Sequence, residues 1–379
     1  MWLLAPILIF LVARVVSTVM VMWLGTWDIS ASGASRLNAP SGWSFQSLMV
    51  WDAHWYHRIV TEGYPSELPL ASDGDVRQNQ WAFYPLFPAL TKLLTLLGIP
   101  FLAAASSVSL ACGAAAMVVL FRLLAPTAGT FTALLSVTGF SFSVASLTLG
   151  APYSESTSTL LVLLGLWAVV RDRPGVFVMV ALTLALARPV TPALAAVAGV
   201  VWLVRWWRRD RTPFPVRARV QWGSAAVASA CAFLLWPAIA GVVTGQPDAY
   251  ALTQRAWNHE PGWGTWVTAV FTGRSQGLLT VGVLAWAALL AWHARTWPLA
   301  VRLWTVLYPL FILGASRTTP SIVRYLLLAI TPAWPFPQLS RDRSRPTQAL
   351  MLTGVVLFGL GTQAWWIIWA WCSPGDAYP

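Results

Sequence analysis

The sequence predicts an all-α, polytopic membrane protein: a bundle of roughly ten or eleven transmembrane or re-entrant helices, with amphipathic helices in its first outer loop. Three observations carry that expectation. Of the 379 residues 57% are hydrophobic and only 10% charged, whereas a soluble domain is about one quarter charged. Apolar runs of membrane length recur along the whole chain, with a mean hydropathy of +0.64. The 24 Lys+Arg residues, against 13 Asp+Glu, fall between those runs and not in tails, so they read as orientation signals and not as a nucleic-acid surface. The expectation is one integral membrane domain, 1–379, in a cell membrane, with no room for a sizeable soluble domain.

Met1 to Leu24 is an apolar run without a basic leader or a small-residue cleavage site, which predicts a retained first helix. Arg14 interrupts it, either paired within the bundle or binding phosphate. Residues 25–80 form the first outer loop, holding Asp28, Asp52, Glu62, Glu67, Asp73 and Asp75 against Arg36, Arg58 and Arg77. Its counterpart is the basic loop 205–221, with six Arg against Asp210, expected on the cytoplasmic side. A second outer loop, 244–277, follows the span 222–243.

Further apolar runs predict helices over 82–97, 101–124, 127–149, 152–170, 175–187, 190–204, 222–243, 278–292, 298–315, 321–339 and 347–371. Sidedness closes only if 82–97 or 127–149 is re-entrant or interfacial. The runs 175–187 and 190–204 are each too short for a crossing and are broken by Arg188-Pro189. Broken helices at membrane depth persist only inside protein or beside a water-filled cavity, so Arg188 marks a cavity. Cys112, Cys231 and Cys372 share no CxxC spacing, which supports neither a zinc site nor a disulfide framework.

The richest stretch is Trp51-Asp52-Ala53-His54-Trp55-Tyr56-His57-Arg58-Ile59-Val60-Thr61-Glu62-Gly63-Tyr64-Pro65. Trp51, Trp55 and Ile59 share one helical face, and Gly63 to Pro65 stop the helix. That pattern predicts an interfacial helix with Trp at headgroup depth, which places Asp52 where lipid-borne and water-borne groups meet. Asp52 then serves as a base, or caps the helix or pairs with Arg58. His54 and His57, three apart, are a metal pair with Asp52 or polar-face decoration.

The pattern Trp51-Asp52-x-x-Trp55-Tyr56-x-x-Ile59-x-x-x-Gly63-Tyr64 resembles the first-loop signature of the PIG-V-like mannosyltransferases, membrane enzymes of the GT-C glycosyltransferase class. Four more pieces follow in that family's order: Ala82 to Pro88, Pro152-Tyr153-Ser154-Glu155-Ser156, Ala187-Arg188-Pro189 and Ser321-Ile322-Val323-Arg324-Tyr325. The match departs at His54, where a small residue is common, and at Thr191, which replaces a Gly. The Arg-heavy cation usage, with Lys92 the single lysine, fits GC-rich coding and a bacterial member.

The resemblance implies a GT-C-like bundle that moves mannose, with inversion, from a polyprenyl-phosphate-mannose donor to a lipid-linked or glycolipid acceptor on the outer face. It places the catalytic Asp at Asp52, as general base for the acceptor hydroxyl. The departing phosphate needs fixed cations; Arg188 and Arg324 are the candidates, since a guanidinium meets phosphate bidentately. Both have an alternative as structural ion pairs within the bundle, with Glu155 the main partner. Trp55, Tyr56, His57, Tyr84, Tyr153, Glu155, Gln254, Trp257 and Tyr325 are candidates to bind substrate or position those groups; Trp81 and His259 are further contacts. A lipid-phosphate donor requires no metal cofactor, and a divalent cation near Asp52 is not expected. A lipid or glycolipid transporter, with Arg14, Glu155, Arg188 and Arg324 lining a path, is the competing reading, although the chain lacks paired halves; a noncatalytic scaffold is the third.

Overall fold

The structure is a computed structural model that describes residues 4–24, 43–257, 262–273, 275–316, 321–330 and 343–371. The fold is all-α. Helices satisfy backbone polar groups internally, which a bilayer demands; among the described residues the β-pairing is a single antiparallel bridge between Leu70 and Val76.

In chain order the helices are α1 (Leu4–Leu24), α2 (Asp52–Glu62), α3 (Leu86–Thr95), α4 (Phe101–Ala128), α5 (Thr130–Ser141), α6 (Glu155–Val170), α7 (Pro174–Leu184) and α8 (Thr191–Trp207). They continue as α9 (Val216–Ala232), α10 (Leu235–Thr244), α11 (Ala249–Ala256), α12 (Trp263–Phe271), α13 (Ser275–His293), α14 (Leu299–Ala315), α15 (Ile322–Tyr325) and α16 (Arg345–Trp366). Short 3-10 turns at Phe45–Leu48, Gln80–Ala82, Ser146–Leu149 and Leu326–Ala329 connect them, and a π turn over Ile367–Trp371 extends α16. Four segments are long and apolar enough to cross a membrane by length and composition: Leu4–Leu24, Phe101–Ala128, Val216–Thr244 and Arg345–Trp371.

Several expected runs are shorter than their hydropathy suggested. The helix within 82–97 is the 10-residue α3 and that within 127–149 the 12-residue α5, about 15 and 18 Å long at 1.5 Å per residue. Neither reaches the length of a crossing, because Pro85 and Gly98 bound the first and α5 gives way to a buried 3-10 turn. The 321–339 run is not one helix in its described part: α15 passes into the 3-10 turn and ends at Ile330, with φ 60°. Residues 331–339 lie outside the described residues. The basic loop is tighter than 205–221, since α8 runs to Trp207 and α9 starts at Val216, and the loop 244–277 carries α11 and α12.

The main core joins α1, α4, α5, α6, α7, α8 and α14 around Phe10, Leu120, Phe140, Leu163, Phe177, Leu194 and Trp304. Small residues allow close approach where lipid offers no hydrophobic drive; a Cβ at Gly113 of α4 would overlap the Phe10 ring of α1. Arg14 of α1 is buried, and its guanidinium donates to the Ser141 and Ser146 carbonyls and to Ser146 Oγ, 2.9 Å away. Gln363 Nε2 of α16 donates to that same Oγ at 2.8 Å, and Gln363 Oε1 accepts from Ser17 at 2.7 Å. This polar knot ties α1, the turn after α5 and α16 together.

Candidate active site

Four elements far apart in sequence deliver four charges to one place. Asp52 opens α2, just after Trp51, whose φ of 46° is left-handed. A bulky residue there stores about 1–3 kcal/mol of strain, tolerated where packing over-determines it. Trp51 packs edge-on against Trp371 at 5.0 Å, and Tyr153 OH donates to the Val50 carbonyl at 2.8 Å. At the other end of α2, Gly63 (φ 81°) closes the helix through its N–H to the Ile59 carbonyl, 2.9 Å. Tyr56, one turn on from Asp52, donates to Ser154 Oγ at 2.9 Å. Burial, reinforced by the Asp52 charge, pushes its phenol up, so it stays a protonated donor.

Glu155 opens α6 and is fully buried. Arg188 lies in the break between α7 and α8, where Pro189 has no N–H to continue the helix and the Arg188 N–H still bonds the Leu184 carbonyl at 2.9 Å. The Leu86 N–H donates to the Leu186 carbonyl at 2.8 Å, docking the Ala82–Pro88 block on that break. Arg324 lies on the single turn of α15.

The charges form a chain. Arg324 Nη1 is 2.6 Å from Asp52 Oδ2, Arg324 Nε is 3.3 Å from Glu155 Oε1, and Arg188 Nη2 is 2.5 Å from the same Oε1. Arg188 Nε also donates to Ser154 Oγ at 3.3 Å. The two guanidinium carbons lie 5.8 and 5.4 Å from the Tyr325 ring centre, and that of Arg324 lies 5.2 Å from the Tyr153 ring. Tyr308 OH holds the Tyr325 carbonyl at 2.8 Å. Two cations and two carboxylates balance, which is what allows this much charge inside an apolar bundle.

Asp52, Tyr56, Tyr153, Glu155, Arg188, Arg324 and Tyr325 are thus brought together, with Ser154 and Tyr308 beside them. Ser154 stands inside the quoted Pro-Tyr-Ser-Glu element; nothing in the α14 run singled out Tyr308. Trp55 stacks on Phe83 at 5.7 Å and meets Trp257 edge-on at 5.2 Å; Phe83 touches Tyr56 at 5.5 Å. Arg58 lies over the Trp55 ring, 5.9 Å from its centre, and pairs with Glu62 at 2.7 Å, not with Asp52. The Trp257 end of α11 is therefore latched to the helix that carries Asp52.

Other candidates lie elsewhere. Tyr84 bonds Tyr250 at 2.9 Å in a cluster with Trp81 and Trp236. Burial pushes the Tyr250 phenol up to about 12 and raises Tyr84 too, so this pair is a neutral clamp between the two loops. His57 is exposed, edge-on to Phe101 at 4.7 Å, and His54 is exposed. Among the described residues no three His, Cys, Asp or Glu gather where they could hold a metal ion. Gln254 is half-buried on α11, and His259 lies outside the described residues. Arg14 is held by backbone carbonyls and does not reach this site.

No protein-family model matches the chain, and no curated protein matches it. Among solved structures it is similar to the Archaeoglobus fulgidus oligosaccharyltransferase in its complex with zinc and sulfate, with a TM-score of 0.48 and 12% sequence identity over 98% of this chain and 54% of that one. The chain spans about half the length of that structure.

Proposed function

We propose that the protein is a membrane glycosyltransferase of the GT-C class that moves mannose from a polyprenyl-phosphate donor to a hydroxyl of a lipid-linked or glycolipid acceptor, on the outer face and with inversion. The observation that carries this reading is the charge chain itself: a part-exposed carboxylate, Asp52, set 2.6 Å from a guanidinium that shares Glu155 with a second one. The acceptor oxygen attacks the sugar C1 and gives its proton to Asp52. The C1–O bond to phosphate breaks, and its electron pair leaves with the phosphate. The charge that grows on the leaving oxygen is met by Arg188 and Arg324, which need no reorganisation because the protein already holds them. The first-loop resemblance supplies the sugar and the lipid carrier in this proposal.

Purified protein in lipid nanodiscs, given polyprenyl-phosphate mannose and bacterial membrane lipids, should release a mannosylated lipid. Asp52→Asn should lower the rate per folded molecule by about 10²–10⁴-fold, the usual worth of a general base. Movement of lipid across the bilayer without a mannosylated product, or full activity in Asp52→Asn, would overturn the proposal.

A further inference from the structure

The two carboxylates on Arg324 differ in a way that assigns them different parts. Glu155 has no exposed surface, and its Oε1 bridges both guanidiniums. Neither of its oxygens has a hydrogen-bond donor among the described residues, so the guanidiniums hold Oε1 as ion pairs. A carboxylate so enclosed cannot leave its cations without becoming an unpaired buried charge, which is prohibitive. Asp52 has 19% of its side chain exposed and holds one nitrogen of one guanidinium. It can swing to water, where its charge is solvated.

Resting on the function proposed above, we propose that Glu155 is the positioning residue that holds Arg188 and Arg324 together as one anion site, and that Asp52 occupies the place on Arg324 which the donor phosphate takes. The two guanidiniums repel one another, yet both lie within 5.8 Å of the Tyr325 ring centre; the shared Glu155 oxygen offsets that repulsion. An arriving phosphate meets a site of zero formal charge and binds by exchange, taking Arg324 Nη1 from Asp52 while Glu155 stays. The exchange frees the base beside the newly bound donor, so the donor binds before the acceptor, and the base is tied up while no donor is present.

The test is the affinity of farnesyl phosphate, a sugar-free prenyl phosphate, for the full chain in phosphatidylcholine nanodiscs. Asp52→Asn and Glu155→Gln each remove one negative charge beside the same arginine. Long-range electrostatics alone would tighten binding in both. The exchange requires opposite signs: Asp52→Asn binds about tenfold tighter, since the coupling between competing ligands is lost, and Glu155→Gln binds about tenfold weaker, since the arginine pair loses its brace. Glu155→Asp, which keeps the charge and shortens the arm, also weakens binding and covers the case in which Glu155→Gln fails to fold. Inorganic phosphate should bind more weakly than farnesyl phosphate, marking the lipid as the source of the anion. Shifts of the same sign in the Asp52 and Glu155 variants, or weaker binding in Asp52→Asn, would overturn the exchange while leaving the transferase reading intact. Failure of wild type and every variant to bind farnesyl phosphate would overturn both.

Discussion

Among the described residues two buried arginine sites stand in this bundle, and they are built on opposite plans. Arg14 gives its guanidinium to the carbonyls of Ser141 and Ser146 and to the Ser146 hydroxyl. Arg188 and Arg324 give theirs to carboxylates on separate elements, Glu155 and Asp52. Backbone carbonyls cannot leave, so the Arg14 knot joins α1, the turn after α5 and α16 permanently. A side-chain carboxylate that reaches solvent, as Asp52 does and Glu155 does not, is exchangeable for another anion. Burial of an arginine within the membrane is thus not by itself a sign of a substrate site; what occupies its donors decides. A more exposed pair offers a contrast, where Arg205 Nη1 meets Asp172 Oδ1 at 2.7 Å with the aspartate side chain 56% exposed.

Substitutions can break or sharpen this contrast. Arg14→Leu takes the guanidinium from the Ser146 carbonyl, and an orphaned buried acceptor costs about 1–3 kcal/mol, while the Ser141 carbonyl keeps the Ser146 hydroxyl as donor at 2.9 Å; the protein should melt several degrees lower, with the transfer rate per folded molecule within about twofold of wild type. A large rate loss at unchanged melting temperature would move Arg14 into the substrate class. Arg188→Lys replaces a fork by a point charge and should lower the transfer rate about tenfold with little effect on abundance; an unchanged rate would return Arg188 to the structural class. The smallest effect belongs to Asp172, whose carboxyl is held below its usual range chiefly by the hydrogen bond from Arg205, with another from Trp222 Nε1. Its folded-state value is depressed, so its contribution is complete above the unfolded value of about 3.9 and fades as pH falls through the folded one. The pair is largely exposed, so Asp172→Asn should cost under about 1 kcal/mol near neutral pH. The gap in melting temperature from wild type should close on acidification; a gap that widens in acid would contradict the assignment.

Much of this was legible in the sequence because it is local. The Trp51–Pro65 stretch has a helical apolar stripe and a Gly stop, and α2 runs from Asp52 to Glu62. The Arg188-Pro189 break follows from a missing N–H. Trp51 was misplaced on that stripe, because the strained turn that lifts it onto Trp371 depends on tertiary packing. The Asp52–Arg324 pair joins residues 272 apart; its partners could be named as candidates but not joined, since composition and periodicity carry no information about which helix faces which. The lengths of α3, α5 and α15 were overestimated for a related reason. Apolarity marks what is buried, but buried 3-10 turns and short helices inside protein are as apolar as a full crossing.

The most direct measurement is the mannosyl transfer rate, per folded molecule, of Arg324→Lys beside Arg14→Lys. If Arg324 receives the donor phosphate, Arg324→Lys falls by about ten- to a hundredfold, and Arg14→Lys loses stability while keeping its rate. Equal rates in wild type and Arg324→Lys, or a selective loss of rate in Arg14→Lys, would show that the phosphate binds elsewhere.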